Sequence, residues 1–442
     1  MVYEAIFFAG LRIKNVKALK ADYYLNLRDQ VGNPARWTVF LGNNNTGKTT
    51  LLRCLASMQV VKSHHNNGEH TYSIPVELLF KRDYSNISNP DLIVVENIVN
   101  ADLLYSNVVN GTVTTKPTLP HSDQVDKYFG FTNYNDSSTS YGYKIANEYT
   151  SAYKIFENLK IYGYGASRRI SEPTLSYEDN DEYGVDSLFS NKKDLLNIEE
   201  WLFQLDYAKK NGSTRANILL NTFLDIMINE IFPGLESVKF FSSEKFKPEV
   251  KVLVDGKWLY INDLGYGYQA TMAWLADLVK RMFDRYPNLD NPLHGPAIVL
   301  VDEIDLHLHP EWQRKIIKYL SDLFPNTQFI VTAHSPLIVQ SAENVNLIML
   351  EKDDETGSIN VRQQFGSFQG WTVEEILREL MDMGEKTRSD RFLKLLNDFE
   401  EGLNKDNYDK AKIAYDELDK ILHPASSQRK LLSMQLSSLI PA

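Results

Sequence analysis

Gly42-Asn43-Asn44-Asn45-Thr46-Gly47-Lys48-Thr49 fits the pattern G-x-x-x-x-G-K-[ST], and its reading decides the fold. The apolar run Trp37–Leu41 precedes it, and Thr50, Leu51, Leu52 and Leu55 follow. Strand, glycine loop, helix is the start of a phosphate-binding α/β unit. The glycines let the backbone curl so that its N–H groups point at phosphate oxygens, and the helix N-terminus adds a favourable field. Lys48 is placed to neutralise the outer phosphates of ATP, and the Thr49 hydroxyl to ligate Mg²⁺. An ordinary glycine turn does not require an apolar strand before it and an apolar helix behind it.

Ile298-Val299-Leu300-Val301-Asp302-Glu303 supplies a second half. An acid at the carboxyl end of a buried parallel strand sits where ligands bind in open α/β sheets. Asp302 is expected in the Mg²⁺ shell, and Glu303 is expected to polarise the attacking water. His334 ends another apolar run, Phe329–Thr332, within Thr332-Ala333-His334-Ser335-Pro336. From there it can reach the γ-phosphate or the water. Asp263-Leu264-Gly265-Tyr266-Gly267-Tyr268-Gln269 precedes a helix. A Gly-x-Gly turn is a weak signal alone, and its value lies in its position shortly before the acidic strand.

The chain of 442 residues is 43% hydrophobic and 24% charged, values that fit a packed globular protein. Its net charge of −11 argues against non-specific DNA wrapping, so nucleic-acid contact needs a local basic patch or a partner. Lys239, Lys245, Lys247, Lys251 and Lys257 form a basic cluster that could touch phosphates, but a solvated sheet face explains them better. The single cysteine, Cys54, excludes an intrachain disulfide and reads as a small buried apolar side chain. Such usage suits a reducing, cytoplasmic compartment. Met1–Arg12 lacks a basic start before an apolar core, so no signal peptide is expected. No stretch approaches the ~20 apolar residues of a membrane span.

Four regions are expected. Residues 1–190 form an N-terminal lobe: strands at Ala5–Phe8, Leu11–Ile13, Asp22–Leu27 and Trp37–Leu41, then an irregular insertion rich in Asn, Ser, Tyr and Asp. In that insertion Val76–Phe80 and Leu92–Val99 read as strands. His64–His70 and Ser137–Ser140 read as polar loops, not as a metal site. Residues 191–234 are a helical hairpin with apolar stripes at Leu195, Ile198, Trp201, Leu202 and Leu205, then at Ile218, Leu219, Phe223, Ile226, Met227 and Ile231. Residues 235–370 are a second lobe containing a hairpin around Asp255-Gly256. Residues 371–442 are a charged helical tail.

With those four motifs in order, the chain resembles the ABC-type ATPases of the SMC/RecF class. It looks most like the compact branch that includes the ATPase part of overcoming-lysogenisation-defect proteins. Val301–Arg314 and Phe324–Pro336 carry the resemblance most specifically. It implies an α/β P-loop head with an antiparallel β layer, a mostly parallel core sheet, the helical-hairpin insertion and the helical tail. It also implies ATP and Mg²⁺ as cofactors and an ATP-dependent homodimer or larger homo-oligomer. Two heads then sandwich two nucleotides, and Gly265, Gly267, Tyr268 and Gln269 face the ATP held by the partner. Gly265 departs from the pattern, since the family usually has Ser after the Leu. The hairpin excludes a long coiled arm, and no Asp-x-Asp follows His334, so no Toprim nuclease is expected.

Heads of this kind resemble ATPase subunits of antiphage systems such as Septu, its retron-linked relatives or PARIS, where a separate nuclease is the effector. Two alternatives stay open: a RecF-like repair ATPase that binds DNA directly, and an ATP-gated scaffold that restrains a toxin. Tyr162–Arg169 also looks like a recurring loop of this branch, with Arg168 facing a phosphate or a partner, or merely a glycine-rich loop between layers.

Overall fold

The computed structural model describes residues 2–59, 61–64, 70–73, 97–109, 112–114, 129–133, 159–168, 184–191, 194–232, 234–242, 248–353, 355–381 and 388–439. The chain forms two compact units, Met1–Trp371 and Thr372–Ala442.

A six-stranded sheet organises the larger unit. Its order is Ile359–Gly366, Val345–Lys352, Trp37–Gly42, Thr327–Thr332, Ala297–Val301, Ile161–Tyr164. All neighbours are parallel except the edge pair 345–352 and 359–366. Ala297–Val301 and Thr327–Thr332 are buried at every position, as strands covered on both faces must be. Val301 pairs with Val331, and Thr332 with Phe40. This register aligns three carboxyl ends, so the glycine loop, the acid pair and His334 leave the sheet side by side.

The antiparallel layer places Val2–Val16 between Leu19–Asn26 and Asn97–Val109. The sequence pattern suggests two short strands here, Ala5–Phe8 and Leu11–Ile13. The structure has one, with a register shift between Phe8 and Gly10. Such a bulge breaks the inside–outside alternation by which strands are read. Between the two sheets, Phe8, Leu11 and Ile13 pack with Leu51, Leu52 and Leu55 of the helix Lys48–Ala56. Buried Gln328 stitches the layers together. It accepts from the Phe8 N–H at 2.9 Å and donates to the Phe8 carbonyl at 2.8 Å. Leaving such a buried group unpaired costs about 1–3 kcal/mol.

The hairpin consists of helices Ile198–Lys210 and Thr214–Asp225, capped by Asn197 and Ser213. Trp201 meets Phe223 edge-on at 5.1 Å. A π-helical segment, Ile226–Ile231, extends the second helix. Its wider turn is not visible in a 3.6-residue period. The following sheet, Leu235–Ser242, Pro248–Val254 and Lys257–Tyr260, contains one strand more than the expected hairpin. Asp255 and Gly256 have φ of 48° and 73°, the paired left-handed geometry that matches strand twist. Lys239 lies 4.3 Å over the Trp258 ring and Lys251 4.4 Å over Tyr260. Lys245 and Lys247 lie outside the described residues.

Val76–Phe80, Ser137–Ser140 and the tip of His64–His70 also lie outside them. Val61–His64 and His70–Ser73 pair as a hairpin with His64 opposite His70. The end of Leu92–Val99 belongs to the strand Asn97–Val109. The smaller unit contains helices Val373–Leu380, Asp390–Asn404, Tyr408–Ile421 and Ser427–Ser438, with Phe392, Phe399, Leu418 and Leu432 in its core. Among the described residues no helix is long and apolar enough to cross a membrane.

Candidate functional site

The loop after Trp37–Gly42 contains three left-handed residues: Gly42 at φ 145°, Asn45 at 66° and Gly47 at 103°. Gly42 is required by space as well as by angle, because a Cβ there would stand 2.3 Å from the Leu350 carbonyl oxygen. Gly47 caps the helix Lys48–Ala56 without a side-chain bond. The first-turn N–H groups of a helix have no intrahelical acceptor, which suits them to an anion. The Thr46 hydroxyl holds the curl by donating to the Asn43 carbonyl at 2.9 Å.

Lys48 Nζ donates to the carbonyl oxygens of Gly42 at 2.7 Å and Asn43 at 2.9 Å. Burial pulls its pKa below the ordinary lysine value, against the opposing pull of Asp302, Glu303 and Asp305. Across from it, Asp302 is 5% exposed. Two hydroxyls donate to its carboxylate: Thr49 at 2.8 Å and Thr332 at 2.7 Å. The Thr332 hydroxyl in turn accepts the Glu303 N–H at 2.7 Å.

Glu303 has φ 51°, a left-handed conformation that a non-glycine side chain adopts only under constraint. The constraint is visible. The Ile304 N–H donates to the Thr332 carbonyl at 3.0 Å. Arg168, 2% exposed, sends Nη2 to the carbonyl oxygens of Asp302 at 2.8 Å and Glu303 at 2.6 Å. Burial lowers the Arg168 pKa to about 10, against Asp302, Asp305 and Glu303. The guanidinium therefore stays charged at neutral pH. His334 is half-buried, and its main-chain N–H donates to Asp305 Oδ2 at 2.8 Å.

These pieces meet in one cavity of about 630 Å³. Ala18, loop residues 44, 45 and 47–50, Asp302, Glu303 and His334 line it. Gly42, Asn43 and Thr46 shape the loop without lining the cavity. The carboxylate and hydroxyl oxygens of Asp302 and Thr49 are the hard donors that Mg²⁺ takes. Cys54 is fully buried in the helix behind, and burial pushes its thiol up to about 12, so it is not a reactive thiolate.

The turn Gly265–Gln269 is not part of this cavity wall. Gly265 caps the helix Tyr266–Arg285 with φ −55° and ψ 144°, and nothing stands within 4 Å of a Cβ placed there. Gly267 is the opposite case: its Cβ would lie 2.1 Å from the His307 carbonyl oxygen. Tyr268 packs against Trp312 at 4.4 Å and Phe232 at 5.7 Å. The Gln269 amide donates to the carbonyls of Leu264 at 2.7 Å and Asn262 at 3.0 Å. Both side chains, expected to face a partner's nucleotide, are engaged within their own chain.

Thr332, Asp305 and Arg168 lie in stretches that the sequence singles out, but their contacts in the site are not legible there. Thr332 was legible only as the last residue of a strand. Arg168 neither lines the cavity nor lies in a plain interlayer loop: it sits behind the acid pair. Tyr162–Tyr164, read as loop, is buried strand paired with Val299–Val301.

A family model described as "AAA domain, putative AbiEii toxin, Type IV TA system" matches residues 131–340. That range includes the acid pair and His334 and excludes the glycine loop. The Septu protein PtuA of Bacillus thuringiensis is 36% identical over 208 residues, covering 46% of this chain and 52% of that protein. The chain thus spans about half of that relative's length. Two longer matches are the Retron Ec83 probable ATPase of Escherichia coli and the Retron Vc95 probable ATPase of Vibrio cholerae serotype O1 biovar El Tor. They are 26% and 25% identical, over 82% and 78% of this chain and 74% of each relative. Taken with the motifs and the parallel sheet that aligns them, these matches show a chain similar to the Septu protein PtuA and to the retron probable ATPases over the stretches they cover.

Proposed function

We propose that this chain binds Mg-ATP between loop 42–50 and the acid pair, hydrolyses it slowly, and uses the nucleotide state to control a separate nuclease or toxin in cytoplasmic antiphage defence. One observation carries the reading: the Thr49 and Thr332 hydroxyls converge on Asp302, while Lys48, Glu303 and His334 line the same cavity. In this reading Lys48 leaves the Gly42 and Asn43 carbonyls for the outer phosphates. Thr49 and Asp302 would hold Mg²⁺, which would supply positive charge against the phosphate oxygens. Glu303 orients water and takes its proton, and His334 stands beside it.

The defence role rests on the Septu and retron relatives. Assembly rests on the resemblance to two-headed ATPases and on Gly265, which starts the helix Tyr266–Arg285 with open space beside it. The test is phosphate release from Mg-ATP by the purified chain, with light-scattering mass of Glu303→Gln with and without ATP. Slow release and an ATP-dependent rise in mass are expected. No release and an unchanged mass would contradict the proposal. Stimulation by DNA would favour the RecF-like alternative, and an effector complex that ATP dissolves would favour the scaffold.

A further inference from the structure

Arg168 is a buried cation whose bonds go to main-chain carbonyls, and among the described residues it forms no ion pair. A buried charge is expensive to keep unless hydrogen bonds replace its water. A neutral residue would fill this space at lower cost, so the charge itself requires a reason. Its two acceptors identify one. They are the carbonyls of Asp302 and Glu303, and they flank the constrained φ of Glu303. One nitrogen, Nη2, bridges the two carbonyls while Nε has no hydrogen-bond partner among the described residues, and the bridge fixes the peptide that aims the Glu303 carboxylate.

The segment carrying Arg168 is tied to the turn Gly265–Gln269, the signature turn that opens the signature helix Tyr266–Arg285. Tyr266, the first residue of the signature helix, donates its hydroxyl to the Ser167 carbonyl at 2.7 Å. Its ring stands edge-on to His307 at 4.9 Å. The next residue, Gly267, packs so closely on the His307 carbonyl that a Cβ does not fit. The turn thus touches both segments that bracket the acid pair: 167–168 behind it and His307 after it. Tyr266 is 49% exposed, so the tight contact here is that of Gly267 on His307, and such a contact transmits displacement.

We propose that Arg168 is a positioning residue for Glu303, and that Tyr266 couples the signature turn to it through Ser167. This rests on the hydrolytic reading above. Closure of that turn on a facing ligand would then be felt at the water-orienting acid of its own chain.

The experiment compares wild type, Arg168→Lys, Tyr266→Phe and the double variant for turnover, ATP affinity, melting temperature and amide exchange over 302–304. Arg168→Lys should lower kcat by about 10- to 100-fold, as a misaimed catalytic group does, with ATP affinity within about twofold of wild type. Tyr266→Phe should lower kcat by about fivefold, the worth of one neutral hydrogen bond. The double variant should lose less than the product of the single losses, because the two residues act in one chain of contacts. Amide exchange at 302–304 should quicken in both single variants. A purely structural role would lower melting temperature and ATP affinity together with kcat. That result, or wild-type turnover and exchange in both variants, overturns the proposal. Should Arg168→Lys fail to fold, Tyr266→Phe decides alone. A wild type without turnover would count against the hydrolytic reading, and amide exchange would still judge the coupling.

Discussion

The cavity at loop 42–50 and the turn 265–269 differ in what one copy of the chain completes. In the cavity, polar side chains from three strand ends, Lys48, Thr49, Asp302, Glu303 and His334 among them, face one volume, and the Asp302 carboxylate already accepts two hydroxyls. At the turn, Tyr268 and Gln269 point back into their own fold, while Gly265 has open space beside it. A ligand site that is built before its ligand arrives needs little reorganisation. A surface whose only free element is a helix start needs something brought to it. The contrast explains why the cavity supports a functional proposal from one chain, whereas the turn supports one only through a second copy.

Lys48→Ala strikes the preformed half and should have the largest effect. It removes the mobile cation from the loop and should weaken Mg-ATP binding by about 2–5 kcal/mol, as loss of a buried charged partner does. Calorimetric titration reads this directly, and wild-type affinity in the variant would erase the distinction between the two regions. Gly267→Ala tests whether the turn is packed as described. Its Cβ has no room against the His307 carbonyl. A loss of about 1–3 kcal/mol is expected from overpacking, measured as a lower denaturant midpoint. Gly265→Ser should be the mildest, within about 0.5 kcal/mol of wild type in stability, since surface substitutions away from special features change little. Its φ of −55° suits serine. The added hydroxyl should strengthen ATP-driven assembly, seen as a rise in mass at lower ATP. A destabilised Gly265→Ser beside a normal Gly267→Ala would invert the assignment of the two glycines.

Much of this was legible because it is local. Gly42–Thr49, Asp302-Glu303 and His334 announce themselves by a fixed spacing or by ending an apolar run, and strand order then does the assembly. Arg168 was not legible in that way. Its role depends on meeting carbonyls 134 and 135 residues away, and no local pattern records that. Thr332 was hidden for a different reason: threonine is an ordinary strand residue, and only the parallel register of Val331 with Val301 brings the next residue's hydroxyl onto Asp302. The bulge at Phe8–Gly10 and the π-segment 226–231 were missed because each breaks the period by which its element is recognised.

The account's central claim is that the acid pair divides its work, Asp302 for the cation and Glu303 for the water. Glu303→Gln separates the two most directly. ATP binding and single-turnover cleavage should be measured on the same purified sample. The account predicts ATP held at near wild-type affinity and cleavage slowed by about 10²-fold or more, the usual contribution of a general base. Cleavage at the wild-type rate, or loss of ATP binding along with cleavage, would contradict it.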